Sequence, residues 1–253
     1  MLNRLTFGND STLAPLLIVH GLFGSARNWG AIARRMAEDR RVVVVDMRNH
    51  AESFWATSHS YGDMAVDLEK VIRVEGGRMD VLGHSMGGKA AMMLALPHPE
   101  CIQRLIVADI APVAYGHSNA PLCQAMRAMD LTDLTSRSEA DRRLVAAVPD
   151  DGTRAFLLQS LDLRATPPRW RLNLDVLEAE MAKITGWPPV AGQFTGPALF
   201  LSGALSSYVR PEDRETIKGL FPTAKFAKIP GAGHWLHAEK PREFEAALRA
   251  FLG

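Results

Sequence analysis

The chain has 253 residues, of which 47% are apolar and 23% are charged, as in an ordinary globular domain and unlike a disordered or collagen-like chain. Its 29 lysines and arginines against 28 aspartates and glutamates give a formal net charge of +1, which offers no strong attraction to nucleic acid or to an anionic membrane. Two cysteines are too few for a disulfide framework, no stretch approaches the roughly 18 apolar residues of a membrane span, and the first residues lack the apolar run of a signal peptide.

Short apolar runs rich in β-branched residues alternate along the chain with segments of helical periodicity. The predicted strands are residues 15–20, 41–46, 79–84, 104–110, 197–202 and 224–230. The predicted helices are residues 26–39, 61–74, 86–96, 211–221 and 241–252. Because buried parallel strands have nearly continuous apolar sequences, this alternation predicts the α/β class with a mostly parallel, doubly wound sheet.

The alternation stops at about residue 113 and resumes at about residue 197. The interval has helical patterns but no convincing strand; one helical face, for example, carries Leu174, Leu177, Met181 and Ile184. We expect residues 1–112 and 197–253 to form the sheet domain and residues 113–196 to form an inserted helical cap. Such a cap over the carboxyl edge of a sheet would shape a substrate pocket, and the alternative is a plain structural insertion.

A Gly-x-Ser-x-Gly motif with Ser85 at its centre follows a predicted strand and opens a predicted helix. In this context the serine occupies a strained strand-to-helix turn that lifts its hydroxyl above the sheet edge, and the neighbouring residues must be small. Gly83, Gly87 and Gly88 meet that requirement. We therefore predict that Ser85 is a nucleophile, against the alternative of an ordinary glycine-rich turn with a solvent-facing serine.

A serine hydroxyl needs a neighbouring base, and that base is oriented by a third group. Among the eight histidines, only His234 lies in a glycine-containing loop after the last predicted strand, at the same sheet edge as Ser85. We predict that His234 is the general base. We expect His237 to pack against or cap the final helix, His84 to pack beneath the serine turn and His20 to brace a loop.

Acyl transfer also builds an oxyanion, which two aimed N–H groups must stabilise. The N–H of Met86, directly after the serine, is one expected donor. The other should come from the loop at residues 20–24, where we favour the N–H of Leu22, with that of Phe23 as the alternative. The expected acyl pocket, selective for short to medium chains, combines Leu22 and Phe23 with three apolar residues of the cap, Leu122, Met126 and Leu174.

Taken together, these segments resemble the α/β-hydrolase superfamily and, within it, the small bacterial esterases of the YbfF type with their mitochondrial relatives. The resemblance runs nearly end to end and rests on residues 20–25, 45–50 with Ser53, 83–89, 109–112, 207–209 and 231–241. One departure is Ala51, where the group usually has glycine. Arg48, Asn49 and His50, directly before it, are expected to be chiefly structural.

The triad acid has two candidate sites. In most α/β-hydrolases the carboxylate follows the strand that corresponds here to residues 197–202, yet the loop after that strand contains none. The nearest acids, Glu212 and Asp213, fall in a predicted first helical turn, where carboxylates are favoured for structural reasons. Asp109 ends the neighbouring core strand and belongs to the Asp-Ile-Ala-Pro match with the YbfF-like group. We predict Asp109 as the acid; a purely structural turn role is its alternative.

The resemblance implies hydrolysis of carboxylic esters or acyl thioesters, that is, of small-molecule substrates, with no cofactor and no metal. Other reactions on the same triad remain open: acyl transfer, carbon–carbon bond hydrolysis and cofactor-free perhydrolysis. A ligand-binding protein without activity is a further alternative. We expect a cytoplasmic monomer or weak homodimer that has neither nucleic acid nor a membrane as a partner.

Overall fold

The computed structural model describes all residues from Met1 to Gly253. It contains nine strands: β1 (Arg4–Phe7), β2 (Leu16–Val19), β3 (Val42–Val45), β4 (Met79–His84), β5 (Ile102–Ala108), β6 (Leu161–Asp162), β7 (Arg169–Trp170), β8 (Ala198–Gly203) and β9 (Lys225–Ile229). Seven of them form one sheet in the order β1-β3-β2-β4-β5-β8-β9. All neighbours are parallel except β1, which pairs antiparallel with β3. The predicted mostly parallel sheet is confirmed.

Eleven α-helices accompany the strands: α1 (Gly30–Met36), α2 (Tyr61–Val74), α3 (Met86–Ala95), α4 (Ala120–Ala128), α5 (Arg137–Leu144), α6 (Asp151–Leu158), α7 (Leu174–Ala179), α8 (Met181–Thr185), α9 (Asp213–Leu220), α10 (Leu236–Glu239) and α11 (Pro241–Leu252). None of them combines the length and the apolar composition needed to cross a bilayer. Two of these helices begin with residues that are typical of helix N-termini. Ser60 accepts the Asp63 N–H as the N-cap of α2, and Pro241 opens α11, where its missing N–H is not needed.

Helices cover both faces of the sheet. Because successive side chains of a strand point to opposite faces, Leu17 and Val19 of β2 pack with α2 and α3, whereas Leu16 and Ile18 pack with α1 and α11. The apolar cluster on the α2 and α3 face continues without interruption into the segment between β5 and β8. That segment is therefore packed onto the sheet domain through a shared core.

The segment at residues 113–196, called the cap below, contains α4 to α8 and the hairpin of β6 and β7. The expectation that this interval has no strand is wrong, because two residues on each side pair in that hairpin. The division of the chain into a sheet domain and a cap stays a proposal. Polar contacts also join the cap to the sheet domain. Lys89 Nζ donates to the carbonyls of Thr185 and Gly186, and the Tyr61 hydroxyl donates to the Ile184 carbonyl.

Two elements differ from their predicted form. The predicted helix at residues 26–39 is a 3₁₀ turn, Ala26–Trp29, followed by the shorter helix α1. The edge strand β1 was not predicted, because polar and apolar residues alternate in its short sequence, Arg-Leu-Thr-Phe, and give no apolar run. Neither difference moves the carboxyl ends of β2, β4, β5 and β9, which are the ends that carry the predicted site.

Candidate active site

Ser85 lies in a sharp turn between β4 and α3. Its φ of 51° and ψ of −121° are strained for a non-glycine residue. The turn is possible because its neighbours lack side chains: a Cβ on Gly83 would lie 2.3 Å from the Gly87 carbonyl oxygen, and a Cβ on Gly87 would lie 2.4 Å from that of Val19. The Ser85 N–H donates to the Ala108 carbonyl at 2.9 Å, which fixes the turn against β5.

Three strand ends bring Ser85, His234 and Asp109 together. Ser85 Oγ lies 3.1 Å from His234 Nε2, and His234 Nδ1 lies 2.8 Å from Asp109 Oδ2. With Asp109 ionised, its oxygen can only accept, so His234 carries its proton on Nδ1 and offers a bare Nε2 to the serine hydroxyl. This tautomer is the one in which a histidine can take a proton from a serine.

Asp109 is fully buried, and its carboxylate receives three hydrogen bonds. Besides His234, the Gly203 N–H donates to Oδ1 at 3.1 Å and the Ser206 hydroxyl donates to Oδ2 at 2.5 Å. Ser206 lies in the loop after β8, where most α/β-hydrolases carry the acid. Ser206 has no sequence motif that marks it as a site residue; the only signal in the sequence is the absence of a carboxylate from that loop.

The two alternative acids are engaged elsewhere. Asp213 accepts the Arg210 N–H at 2.9 Å and lies 3.3 Å from the Arg210 guanidinium, and Glu212 lies 3.4 Å from the same guanidinium. Neither contacts His234. Among the three candidates, only Asp109 contacts the histidine.

The loop that carries His234 is held on several sides. The Gly233 and Trp235 N–H groups donate to the Glu239 carboxylate at 2.7 and 3.2 Å. His84 Nε2 donates to the His234 carbonyl at 2.9 Å, and the Tyr208 ring stacks on the His234 ring with centroids 4.0 Å apart. Tyr208 and Glu239 were not singled out from the sequence, because neither belongs to a catalytic motif.

His237 and His84, for which packing roles are predicted, are both buried next to the site. His237 stacks on Trp29 at 4.1 Å, and burial lowers its pKa to about 3, so it remains a neutral packing group. Burial also lowers the pKa of His84 well below its usual range, as expected for a residue packed beneath the turn. No group of three or more histidine, cysteine, aspartate or glutamate side chains is arranged to hold a metal ion.

The backbone N–H groups of Leu22 and Met86 lie beside Ser85 and have no acceptor within the protein. Both residues, with Ser85, line a small chamber of about 30 Å³. The alternative donor is already used, because the Phe23 N–H donates to His50 Nε2 at 3.1 Å. The geometry therefore favours Leu22 over Phe23 as the second donor.

A larger cavity of about 260 Å³ adjoins Ser85 and His234. Of the predicted pocket residues, Leu22, Phe23 and Leu122 line it. Met126 and Leu174, the other two predicted pocket residues, do not line it: both side chains are buried in the apolar core, on helices α4 and α7, which pack against each other. Helical periodicity identifies a buried face but not which neighbour buries it. The cap wall of the cavity also includes Asn119, Thr153, Phe156 and Leu157.

Comparison with known protein families matches residues 14–241 to the family described as alpha/beta hydrolase fold. Among curated proteins, the chain is 40% identical to a mouse sn-1-specific diacylglycerol lipase, ABHD11, over 96% of this chain and 82% of that protein. It is 36% identical to the esterase YbfF of Escherichia coli, over 98% of this chain and 96% of that protein.

A solved structure of a marine microorganism esterase is also similar. It superposes with a TM-score of 0.94 at 36% sequence identity, covering 99% of both chains. The similarity therefore extends over both the sheet and the cap.

Proposed function

The chain belongs to the α/β-hydrolase family, within the group that includes YbfF, and on this basis we propose that it hydrolyses carboxylic esters through a Ser85, His234 and Asp109 triad. The observation that carries the proposal is the unbroken hydrogen-bond chain from Ser85 Oγ through both nitrogens of His234 to Asp109, beside a cavity of about 260 Å³. The esterases and the lipase among the relatives support the reaction class.

In the proposed acylation step, Ser85 Oγ attacks the substrate carbonyl while His234 Nε2 takes the hydroxyl proton. The ionised Asp109 stabilises the resulting imidazolium, and the N–H groups of Leu22 and Met86 stabilise the oxyanion. The imidazolium then returns its proton to the leaving alcohol or thiol as the bond from the carbonyl carbon to that group breaks. An acyl ester on Ser85 remains.

Deacylation repeats the same sequence with water. His234 takes a proton from the water as its oxygen attacks the acyl-enzyme, and the proton passes to Ser85 Oγ as the ester bond breaks. The products are the free acid and the regenerated enzyme. The Ser206 hydroxyl, which donates to the same Asp109 oxygen as His234, holds the carboxylate in place through both steps.

The substrate preference proposed for this site is short to medium acyl chains. The cavity is bounded on the cap side by apolar side chains, Leu122, Phe156 and Leu157, and its volume is modest for a drug-sized or lipid-sized ligand. Acyl thioesters of similar size are included in the proposal. The proposed enzyme is a cytoplasmic monomer or weak homodimer that needs no cofactor or metal.

Hydrolysis of p-nitrophenyl butyrate by the parent protein and by Ser85→Ala tests the proposal. We expect turnover by the parent, none above background by the variant, and no effect of EDTA on either. A fold-intact parent that binds the ester without hydrolysing it would leave a ligand-binding protein as the function. Product analysis in the presence of an added alcohol separates hydrolysis from acyl transfer.

A further inference from the structure

Two loops at the carboxyl edge of the sheet are joined by a pair of buried histidines, His20 and His50, called the histidine pair below. His20 belongs to the loop after β2 and His50 to the loop after β3. The Met47 N–H donates to His20 Nε2 at 2.9 Å, and the Phe23 N–H donates to His50 Nε2 at 3.1 Å. Each histidine therefore accepts a backbone N–H from the other loop, and the two rings lie 5.1 Å apart.

The remaining ring nitrogens fix the protonation of both residues. His20 Nδ1 lies 2.7 Å from the Gly21 carbonyl oxygen, and His50 Nδ1 lies 2.9 Å from that of Arg48. Because a carbonyl oxygen can only accept, each Nδ1 carries a proton and each Nε2 is bare. Burial lowers the pKa of His20 and lowers that of His50 well below its usual range, which keeps both rings neutral near pH 7.

These bonds hold the two peptide groups on either side of Leu22. His20 donates to the Gly21 carbonyl, which belongs to the same peptide group as the Leu22 N–H. In a trans peptide the N–H points away from the carbonyl, so holding one end aims the other. His50 holds the next peptide group by accepting the Phe23 N–H. The φ of Phe23 is 63°, which is unfavourable for residues other than glycine.

We propose that His50 is a positioning residue for ester hydrolysis, which acts with His20 to aim the Leu22 N–H at the oxyanion. This inference rests on the proposed function. His50 touches neither substrate nor the triad. Its bond occupies the Phe23 N–H, leaves the Leu22 N–H free to donate to the oxyanion, and holds the strained residue Phe23 in place.

The test compares two substitutions of His50 with the same substitutions of His98, which is partly exposed and precedes β5, at the opposite end of that strand from Asp109. His50→Leu removes the acceptor, whereas His50→Gln retains an oxygen that can accept the Phe23 N–H. We expect His50→Leu to lower kcat per titrated active site by about 100-fold, as loss of an oxyanion donor does, with KM within about threefold. His50→Gln should recover most of the loss, and His98→Leu and His98→Gln should equal the parent.

Binding of butaneboronic acid, whose trigonal boron becomes tetrahedral when Ser85 Oγ adds to it, provides a second readout. Its affinity should fall in His50→Leu by a factor similar to that of kcat, because both report the oxyanion site. A kcat within threefold of the parent in His50→Leu, or a His50→Gln enzyme as impaired as His50→Leu, would overturn the proposal. An increase in KM at unchanged kcat would do the same.

If His50→Leu does not fold, the parent protein alone decides. Nitrogen-15 NMR of the histidine rings should show His20 and His50 as Nδ1–H tautomers, and binding of the boronic acid should shift the Leu22 amide proton strongly. An Nε2–H tautomer for His50, or an unmoved Leu22 amide in a boronate-bound enzyme, contradicts the proposal. A parent that hydrolyses no ester refutes the proposed function instead, and the tautomer measurement distinguishes the two failures.

Discussion

The carboxyl edge of the sheet and the cap face each other across one cavity, but their backbones differ. Six non-glycine residues have a left-handed φ, and five of them lie at the sheet edge or in its loops: Phe23, Asn49, Ala51, Ser85 and Asp109. The cap has only Asp133. Strain of this kind persists where surrounding hydrogen bonds hold it, and Ser85 and Asp109 are themselves predicted catalytic residues. The sheet edge is therefore built for fixed geometry.

The cap forms its side of the cavity differently, with ordinary helices that present side chains. Leu122, Phe156 and Leu157 reach the cavity from α4 and α6. Apart from the shared apolar core, the cap is joined to the sheet domain by the Arg171–Glu52 ion pair and by hydrogen bonds, such as that from the Ser160 hydroxyl to the Phe23 carbonyl at 2.8 Å. Substitutions at the sheet edge should therefore change the rate of the chemical step, and substitutions in the cap should change substrate preference.

The largest effect is expected for the acid at the sheet edge. Asp109→Asn should lower kcat by about 10⁴-fold, since an amide can stabilise the wrong histidine tautomer, as in the serine proteases. Glu212→Gln and Asp213→Asn, measured with the same chromogenic ester, should stay within a few-fold of the parent. Near-parental kcat in Asp109→Asn together with collapse of either control would mean that the acid has been misplaced.

A smaller effect on kcat is expected at Ser206, which hydrogen-bonds to Asp109 but not to His234. Ser206→Ala removes the hydroxyl that donates to Asp109 and leaves the Gly203 and His234 bonds. One hydrogen bond to a charged group contributes about 1.5–3 kcal/mol, so kcat should fall by about 10- to 150-fold. Steady-state kinetics at saturating ester measure this. A drop as large as that of Asp109→Asn would give Ser206 a direct part in the reaction.

The role of the cap is tested by comparing a substitution at a cavity residue with one at a core residue. Phe156→Ala enlarges the cavity and should raise the ratio of kcat/KM for octanoate over butyrate esters by about tenfold. Met126→Ala, at a fully buried side chain outside the cavity, should cost about 2–5 kcal/mol of stability and leave that ratio unchanged. A changed chain-length preference in Met126→Ala would indicate that Met126 does line the acyl pocket.

The smallest effect is expected on stability, at Lys89, which joins the sheet domain to the cap. Its side chain is buried and has no carboxylate partner. Burial lowers the Lys89 pKa from 10.5 to about 7. Below pH 7 the ammonium is charged in both states and its burial cost is fully present. Between pH 7 and 10.5 only the unfolded chain keeps the proton, so this cost declines as pH rises.

Urea unfolding of the parent and of Lys89→Met between pH 6 and 10 isolates this contribution. The stability of the parent relative to the variant should increase above pH 7. The lost bonds to the Thr185 and Gly186 carbonyls add an offset that does not depend on pH. A stability difference that stays constant across the range contradicts the pKa argument.

The sheet edge was also the more predictable region. Ser85 and His234 stand in short motifs whose backbone requirements are visible in the sequence itself. Asp109 needed the strand order and the family resemblance as well. Ala51 departs from glycine at a φ of 46°, which explains why glycine is usual there. Such local constraints leave a mark on the sequence because few residue types satisfy them.

What escaped prediction depends on contacts between distant segments. Ser206 donates to a carboxylate 97 positions away, and His50 accepts an N–H from a residue 27 positions away. Neither contact has a local signature. The helical periodicity shows that Met126 and Leu174 belong to a buried face. It does not show what buries that face, because an apolar helix face packs equally well against another helix or around a cavity. The cap therefore resists sequence-based prediction where it matters for substrate choice.

Active-site labelling with a fluorophosphonate tests the central claim, that Ser85 is a nucleophile activated by His234, most directly. Intact-mass analysis followed by peptide mapping should show one label per chain, on Ser85, accompanied by complete loss of esterase activity. Ser85→Ala should remain unlabelled and inactive while unfolding as cooperatively as the parent. Stoichiometric labelling of another residue, or esterase activity above a tenth of the parent in Ser85→Ala, would contradict the account.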